Sequence, residues 1–212
     1  TGRIIISHAN SESTAGKIVL GDSSTTTCST FCSMLISTSE LAKMSGSELV
    51  IGGLRDDGSN SEDAQNSTAT NGDIYVNALT TANTSGFTNG VQLNVNAHLS
   101  GSKGAIIFEG SASTFSALTA NAVDGIEVNS DLTTTTGALS LDGDSDSTVD
   151  TLSGNDNILF ASGTTLTSAG NITLSAASGG MVTAGDLTLS APSSITMTGT
   201  MSGTGDISLS AS

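Results

Sequence analysis

The densest group of residues able to do chemistry is Asp142-Gly143-Asp144-Ser145-Asp146-Ser147-Thr148-Val149-Asp150. Alternating carboxylates in a turn supply the hard oxygen ligands that Ca²⁺ prefers, so Asp142, Asp144, Asp146 and Asp150 are candidate metal ligands. Two departures from a calcium loop weigh against them. Ser147 stands where such a loop needs Gly at its sixth position, and Ser153 where it needs a bidentate Glu at its twelfth. A solvated acidic turn accounts for the same residues and is preferred; weak Ca²⁺ binding is the alternative, and no other cofactor is expected.

Cys28 and Cys32 lie four apart in a hydroxyl-rich stretch without a neighbouring His or further Cys, which is a poor metal site. In a secreted chain they would close a small loop as a local disulfide; pairing with another chain and free buried thiols are the alternatives. Asn66-Ser67-Thr68 and Asn83-Thr84-Ser85 match the N-glycosylation acceptor pattern, so Asn66 and Asn83 are candidate glycan sites in a eukaryotic source. Asn171-Ile172-Thr173 matches too, but falls inside a strand pattern.

Enzymatic chemistry finds little support. His8 and His98 are far apart, and neither has a nucleophile or acid motif around it. No phosphate loop, dinucleotide fingerprint or nucleophile elbow occurs. A polysaccharide-cleaving site would need clustered carboxylates with Lys or Arg beside them. All five basic residues lie at or before Lys103, and the rest of the chain has eleven acids and no Lys or Arg. The net charge of −15 also argues against nucleic acid or an anionic membrane as partner. Thr133 to Thr136 and Thr196-Met197-Thr198 raise ice binding, but no Thr-x-Thr recurs at a fixed place in the repeats.

The elements that would position these residues are repetitive. Gly170-Asn171-Ile172-Thr173-Leu174-Ser175-Ala176 returns as Gly185-Asp186-Leu187-Thr188-Leu189-Ser190-Ala191 and as Gly205-Asp206-Ile207-Ser208-Leu209-Ser210-Ala211. The aliphatic–hydroxyl alternation has period two and sends both aliphatics to one face of a strand. The Gly suits a turn that other residues reach only with strain. Looser copies begin at 72, 89, 104, 124, 137 and 156, so nine copies follow at steps of 13 to 20 residues. Strands this short must stack to share a core. One strand motif per coil predicts an all-β parallel solenoid of about ten to twelve coils, on the order of 50–60 Å long. The inward aliphatics should run through Ile172, Leu174, Leu187, Leu189, Ile207 and Leu209.

The 36% hydrophobic content, arranged with period two, argues against disorder despite low aromatic content. No apolar run is long enough for a membrane span. Residues 1–71 read as irregular N-terminal coils with insertions, and 72–212 as regular repeats of one solenoid segment. Ile4-Ile5-Ile6 and Ile18-Val19-Leu20 are predicted strands. Ser37-Thr38-Ser39-Glu40 has capping-box spacing and predicts a helix over 37–46, followed by a strand at Leu49-Val50-Ile51. Residues 53–71 read as a polar excursion.

Ile36-Ser37-Thr38-Ser39-Glu40-Leu41, Met44 and Leu49-Val50-Ile51-Gly52 resemble a helix-then-strand segment of the large secreted filamentous haemagglutinin-like β-helix proteins, and the Gly-Asp/Asn-Ile-Thr-Leu-Ser-Ala repeats resemble the same class. The resemblance covers most of 36–212. It implies a right-handed parallel β-helix in a long, extracellular, non-enzymatic surface or fibre protein. The expected function is a structural segment of an extracellular filament, appendage or stalk. It would be cut from a longer chain and stack end to end on itself or on neighbouring solenoid segments. The alternative is an adhesin-type module binding glycan or protein through the 53–71 excursion; a polysaccharide-active enzyme is the weaker third.

Overall fold

In Ile172-Thr173-Leu174-Ser175 the two aliphatics are buried and the two hydroxyl residues half-buried, the burial expected of a strand with one face on a core. The computed structural model describes residues 2–7, 17–22, 32–52, 72–95, 104–147 and 156–212. In chain order the described elements begin with β1 (Ile4–Ile6), β2 (Lys17–Gly21), β3 (Cys32–Ile36), α1 (Thr38–Leu41), β4 (Leu49–Ile51) and β5 (Ile74–Asn77). Next come α2 (Thr81–Thr84), β6 (Val91–Val95), β7 (Ile106–Glu109), β8 (Ser113–Phe115), β9 (Leu118–Ala122), β10 (Ile126–Val128) and β11 (Leu132–Thr134). The last are β12 (Leu139–Asp142), β13 (Ile158–Phe160), β14 (Thr164–Thr167), β15 (Ile172–Thr183), β16 (Leu187–Ala191), β17 (Ile195–Gly203) and β18 (Ile207–Ala211).

Every pairing between these strands is parallel, and they form three ladders. The first runs β1-β4-β6-β9-β12 to the leading half of β15 and then of β17; the second runs β3-β2-β5-β7-β10-β13 to their trailing halves. Because β15 turns the corner between them, with a register shift between Ser175 and Gly180, the two ladders make one strongly curled 13-stranded sheet. The third ladder is the five-stranded sheet β8-β11-β14-β16-β18. From β6 onward the chain visits the three ladders in turn, and one such circuit is called a rung below. The architecture is all-β and parallel with two one-turn helices among the described residues, as a solenoid requires.

The ladders enclose one core. Ile18, Ile74, Ile106, Ile126, Ile158 and Met181 form a column on the second ladder, each 0% exposed. Leu132, Leu166 and Leu189 do the same on the third. Each such side chain contributes about 1.5–3 kcal/mol by leaving water. The columns end at the last rung. Leu187 and Leu189 are 0% exposed, but Ile207 and Leu209, directly registered on them, are 41% and 50% exposed. The expected inward burial of these two is therefore corrected: no strand lies on their far side among the described residues.

The repeat count is also corrected. All nine motif copies are strands, but β5, β7, β10 and β13 belong to the second ladder, β6, β12 and β15 to the first, and β16 and β18 to the third. The 13-to-20-residue step is thus from strand to strand. A full circuit, read from the register Val91, Leu118, Leu139, Ile172, Ile195, takes 27, 21, 33 and 23 residues. Seven strand levels on the first ladder give a stack about 30 Å long at ~4.8 Å per level. The physical reason is that all three ladders have one face on the same core, so all three select the same aliphatic alternation. Strands β3, β8, β9, β11, β14 and β17 escaped the sequence reading, β3 because the stretch around Cys32 reads as a hydroxyl-rich loop. In β9 the inward residues after Leu118 are Ala120 and Ala122, and β8 and β11 are mostly Ser and Thr.

At the N-terminal end β3 lies outside β2 on the second ladder, whereas β1 ends the first. The predicted helix is confined to one turn, α1, with further turn hydrogen bonds from Lys43 N–H to Glu40 and from Met44 N–H to Leu41. Its capping box is complete. The Glu40 N–H donates to Ser37 Oγ at 3.3 Å, and Glu40 Oε2 accepts from the Ser37 N–H at 2.9 Å and hydroxyl at 2.7 Å. The Ser37 hydroxyl, then its N–H, then Lys43 hold the Glu40 carboxyl below its ordinary range. A depressed folded-state value stabilises above the unfolded value and is lost as pH falls through the folded one. Protection of the amides in 37–42, taken relative to the intrinsic exchange rate at each pH, should therefore fall on acidification through and below the ordinary Glu range. Ser37→Ala should lower that protection already at neutral pH and flatten its pH response; an unchanged response in the variant would refute the coupling.

Candidate functional site

The acidic turn follows β12, but its carboxylates point to different tasks. Asp142 is half-buried and its Oδ1 accepts the Asp144 N–H at 3.3 Å. Asp144 is 1% exposed, and its Oδ2 accepts the N–H of Ser178 in β15. Asp146 is exposed, and Asp150 lies outside the described residues. Among the described residues no three His, Cys, Asp or Glu side chains are grouped as a metal ion would need.

Cys28 lies outside the described residues, and Cys32 begins β3, so the disulfide reading has no described geometry. Asn66, His8, His98 and the whole 53–71 excursion are likewise outside. Asn83 sits in α2 and is 9% exposed. Its Oδ1 accepts from the Thr80 N–H at 2.7 Å and hydroxyl at 2.8 Å, and its Nδ2 donates to the Thr38 carbonyl at 3.1 Å. The nitrogen that a glycan would occupy is thus engaged in joining α2 to α1.

What the fold does bring together is a set of aspartates at turns, each accepting a backbone N–H from the following rung. Asp73 Oδ1 receives Ala105 N–H at a long 3.4 Å, Asp131 Oδ1 receives Thr165 N–H at 2.8 Å, and Asp186 Oδ1 receives Asp206 N–H at 2.9 Å. Asp144 does the same to Ser178. In each pair the acceptor comes earlier in the chain and the donor one rung later; three pairs lie at adjacent strands of one ladder, and Asp144–Ser178 lies at the corner that β15 turns. A carboxylate is acceptor-only and gains from a charge-assisted bond to an N–H at a strand entrance. Local sequence carried a signal for these residues: Asp73-Ile74, Asp131-Leu132, Asp186-Leu187 and Asp206-Ile207 all place Asp just before the first inward aliphatic.

Amides act similarly. Asn77 Nδ2 donates to the Asp22 carbonyl at 2.8 Å while its Oδ1 accepts from Ser111 N–H at 3.0 Å, so one side chain ties three consecutive levels. Asn121 Nδ2 donates to Asn94 Oδ1 at 2.9 Å across the first ladder.

One ion pair is described. Lys17 Nζ lies 3.8 Å from Asp73 Oδ2, 3.3 Å from Tyr75 Oη and 5.3 Å from the Tyr75 ring centre. Val19, Tyr75, Ala105 and Ile107 form a separate buried apolar cluster on this side of the second ladder. Lys17→Met should cost about 1–3 kcal/mol, because it removes the counter-charge from a buried carboxylate while Lys17 itself is partly in water. Denaturant unfolding of wild type and variant checks this; no loss would assign Asp73 wholly to its other partners.

The arrangement joins rungs. No described helix is long and apolar enough to cross a membrane. Comparison with protein-family models, curated proteins and solved structures finds no match to this chain.

Proposed function

We propose that the chain is a structural segment of an extracellular filament, cell-surface appendage or stalk, built as a right-handed parallel β-helix. The observation that carries this reading is the polar chemistry of the turns. Asp73, Asp131, Asp144, Asp186, Asn77 and Asn121 each fasten one rung to the next. A rod so built transmits load through in-register backbone hydrogen bonds, and its acidic surface disfavours lateral clumping. The resemblance of the Gly-Asp-Leu-Thr-Leu-Ser-Ala repeats to filamentous haemagglutinin-like proteins supports the same reading, in which the segment would stack end to end on itself or on neighbouring solenoid segments.

An antibody raised against the folded chain tests it by immunogold labelling of intact source cells. Label along surface fibres or stalks is the expected result; label confined to the cell interior would overturn the proposal.

A second reading, an adhesin module, is favoured by one topological fact. β4, β6 and β12 of the first ladder are each followed in the chain by a strand of the second, β5, β7 and β13, so the described ends of these three passages share one corner. Loops carried on a rigid scaffold are where binding residues concentrate. Deleting residues 55–70 should then abolish binding to a glycan array or to cells while leaving the circular dichroism spectrum unchanged.

A further inference from the structure

We propose that a hollow at the corner between the third and first ladders binds a single neutral sugar residue. It lies apart from the 53–71 passage of the second reading above and stands without it.

The hollow encloses about 330 Å³, between Thr81, Ser85, Phe87 and Thr88 on one side and Ser116, Thr135 and Thr136 on the other. Two features of the fold open it. The first group belongs to α2 and the turn that leads from it toward β6. On the other side β8 passes to β9 through Ser116 and Ala117 alone, whereas β11 passes to β12 through residues 135–138. The longer connection leaves Thr135 and Thr136 exposed beside the shorter one, where Ser116 is buried.

The lining accepts hydrogen bonds and has few to give. Thr88 Oγ1 donates to the Ser47 carbonyl at 3.3 Å, Ser116 Oγ to the Phe87 carbonyl at 3.2 Å and Ser85 Oγ to the Ala82 carbonyl at 3.4 Å. Thr135 Oγ1 donates to the Phe115 carbonyl at 3.2 Å and Thr136 Oγ1 to the Ser116 carbonyl at 3.0 Å. The N–H groups of Ser85, Phe87, Thr88, Thr135 and Thr136 are also bonded to carbonyls. A hydroxyl has one proton and two lone pairs, so these five side chains meet a ligand as acceptors.

That character selects the occupant. No ionisable side chain lines the hollow. An anion would find neither donor nor counter-charge, and an ammonium would give up its water with no carboxylate to replace it. A neutral molecule rich in O–H donors meets the acceptors. The threonine methyls and the buried Phe87 offer apolar contact to its C–H face. A pyranose ring has both features. The volume lies at the lower end of the ~300–1,000 Å³ of small-molecule sites, which suits one ring and not an oligosaccharide.

The test is an NMR shift titration of the full chain with the methyl glycosides of glucose, galactose, mannose and N-acetylglucosamine. At least one should saturate amide shifts confined to Thr81–Thr88, Ser116 and Thr135–Thr136, with a millimolar Kd as expected of a ligand this small. Thr135→Val with Thr136→Val preserves volume and removes two acceptors, and should weaken binding by about fivefold or more. Thr135→Ser with Thr136→Ser keeps both acceptors and should retain most of the affinity. The chain lacking residues 55–70 should bind like the full chain. Absence of saturable shifts with all four glycosides would overturn the inference, as would a valine pair that binds as tightly as wild type or a serine pair as weak as the valine pair. Equal shifts from methylammonium chloride would assign the hollow to a cation, and loss of binding on deleting 55–70 would assign the sugar to that passage; either result also overturns it.

Discussion

Leu189→Asp is expected to abolish cooperative unfolding of the rungs around it. Leu189 is 0% exposed in the column Leu132, Leu166, Leu189, and no Lys or Arg occurs after Lys103 to pair with a new carboxylate. An unpaired charge in such a place costs several kcal/mol beyond the lost apolar burial. The total should exceed about 4 kcal/mol, a large share of a domain's net stability. Leu209→Asp is the matched control, one level along the same column and 50% exposed. It should cost less than about 1 kcal/mol in the isolated chain. Urea unfolding of both variants decides the matter. Equal losses would mean that the column does not set the stability of its rungs.

The second large effect concerns Gly90. Its φ is +92°, and a Cβ there would collide with the carbonyl oxygen of Ala117 and lie 2.7 Å from the Ala117 Cβ in the next rung. Gly90→Ala should thus add a steric clash to the strain of a left-handed alanine. Gly163 separates the two terms, since its φ is +80° but no heavy atom lies within 4 Å of the added Cβ. Gly163→Ala should cost about 1–2 kcal/mol from backbone strain alone. Gly90→Ala should cost at least about twice that, because the obstructing atoms are backbone and cannot turn aside. Matched melting curves that placed the two variants together would show that the rungs at Gly90 can move apart.

Much of the architecture was legible locally. The alternation in Ile172-Thr173-Leu174-Ser175 is a property of one strand, and the Ser37–Glu40 cap is a property of four residues; both stand as expected. The assignment of strands to ladders was not legible, because an inward Leu looks the same on any face of a shared core. Ala120 and Ala122 hid β9 for a related reason: a small inward residue carries little periodic signal, although both are 0% exposed. The motif glycines were read as turn formers. At Gly170 the requirement is instead space, since a Cβ would lie 2.8 Å from the Ala138 N of the previous rung.

The candidate site shows the same limit. Asp144 was recognised as one of an acidic group, but its donor, Ser178, lies 34 residues away. Nothing within the turn distinguishes a carboxylate awaiting a cation from one awaiting an N–H across a ladder. Part of the negative charge of the chain therefore has a structural role, which neither a solvated acidic turn nor a cation site describes.

The direction of these aspartate bonds bears on how the chain is made. Asp73, Asp131, Asp144 and Asp186 are each in place 32, 34, 34 and 20 residues before their donors. A polypeptide threading out of a ribosome or a secretion pore N-terminus first thus completes its acceptors before their donors emerge. Each finished circuit is a mould for the one still inside, and folding outside the pore removes finished circuits from the pool that could slide back. In a chain exported N-terminus first, such a ratchet would draw it outward on the free energy of its own folding.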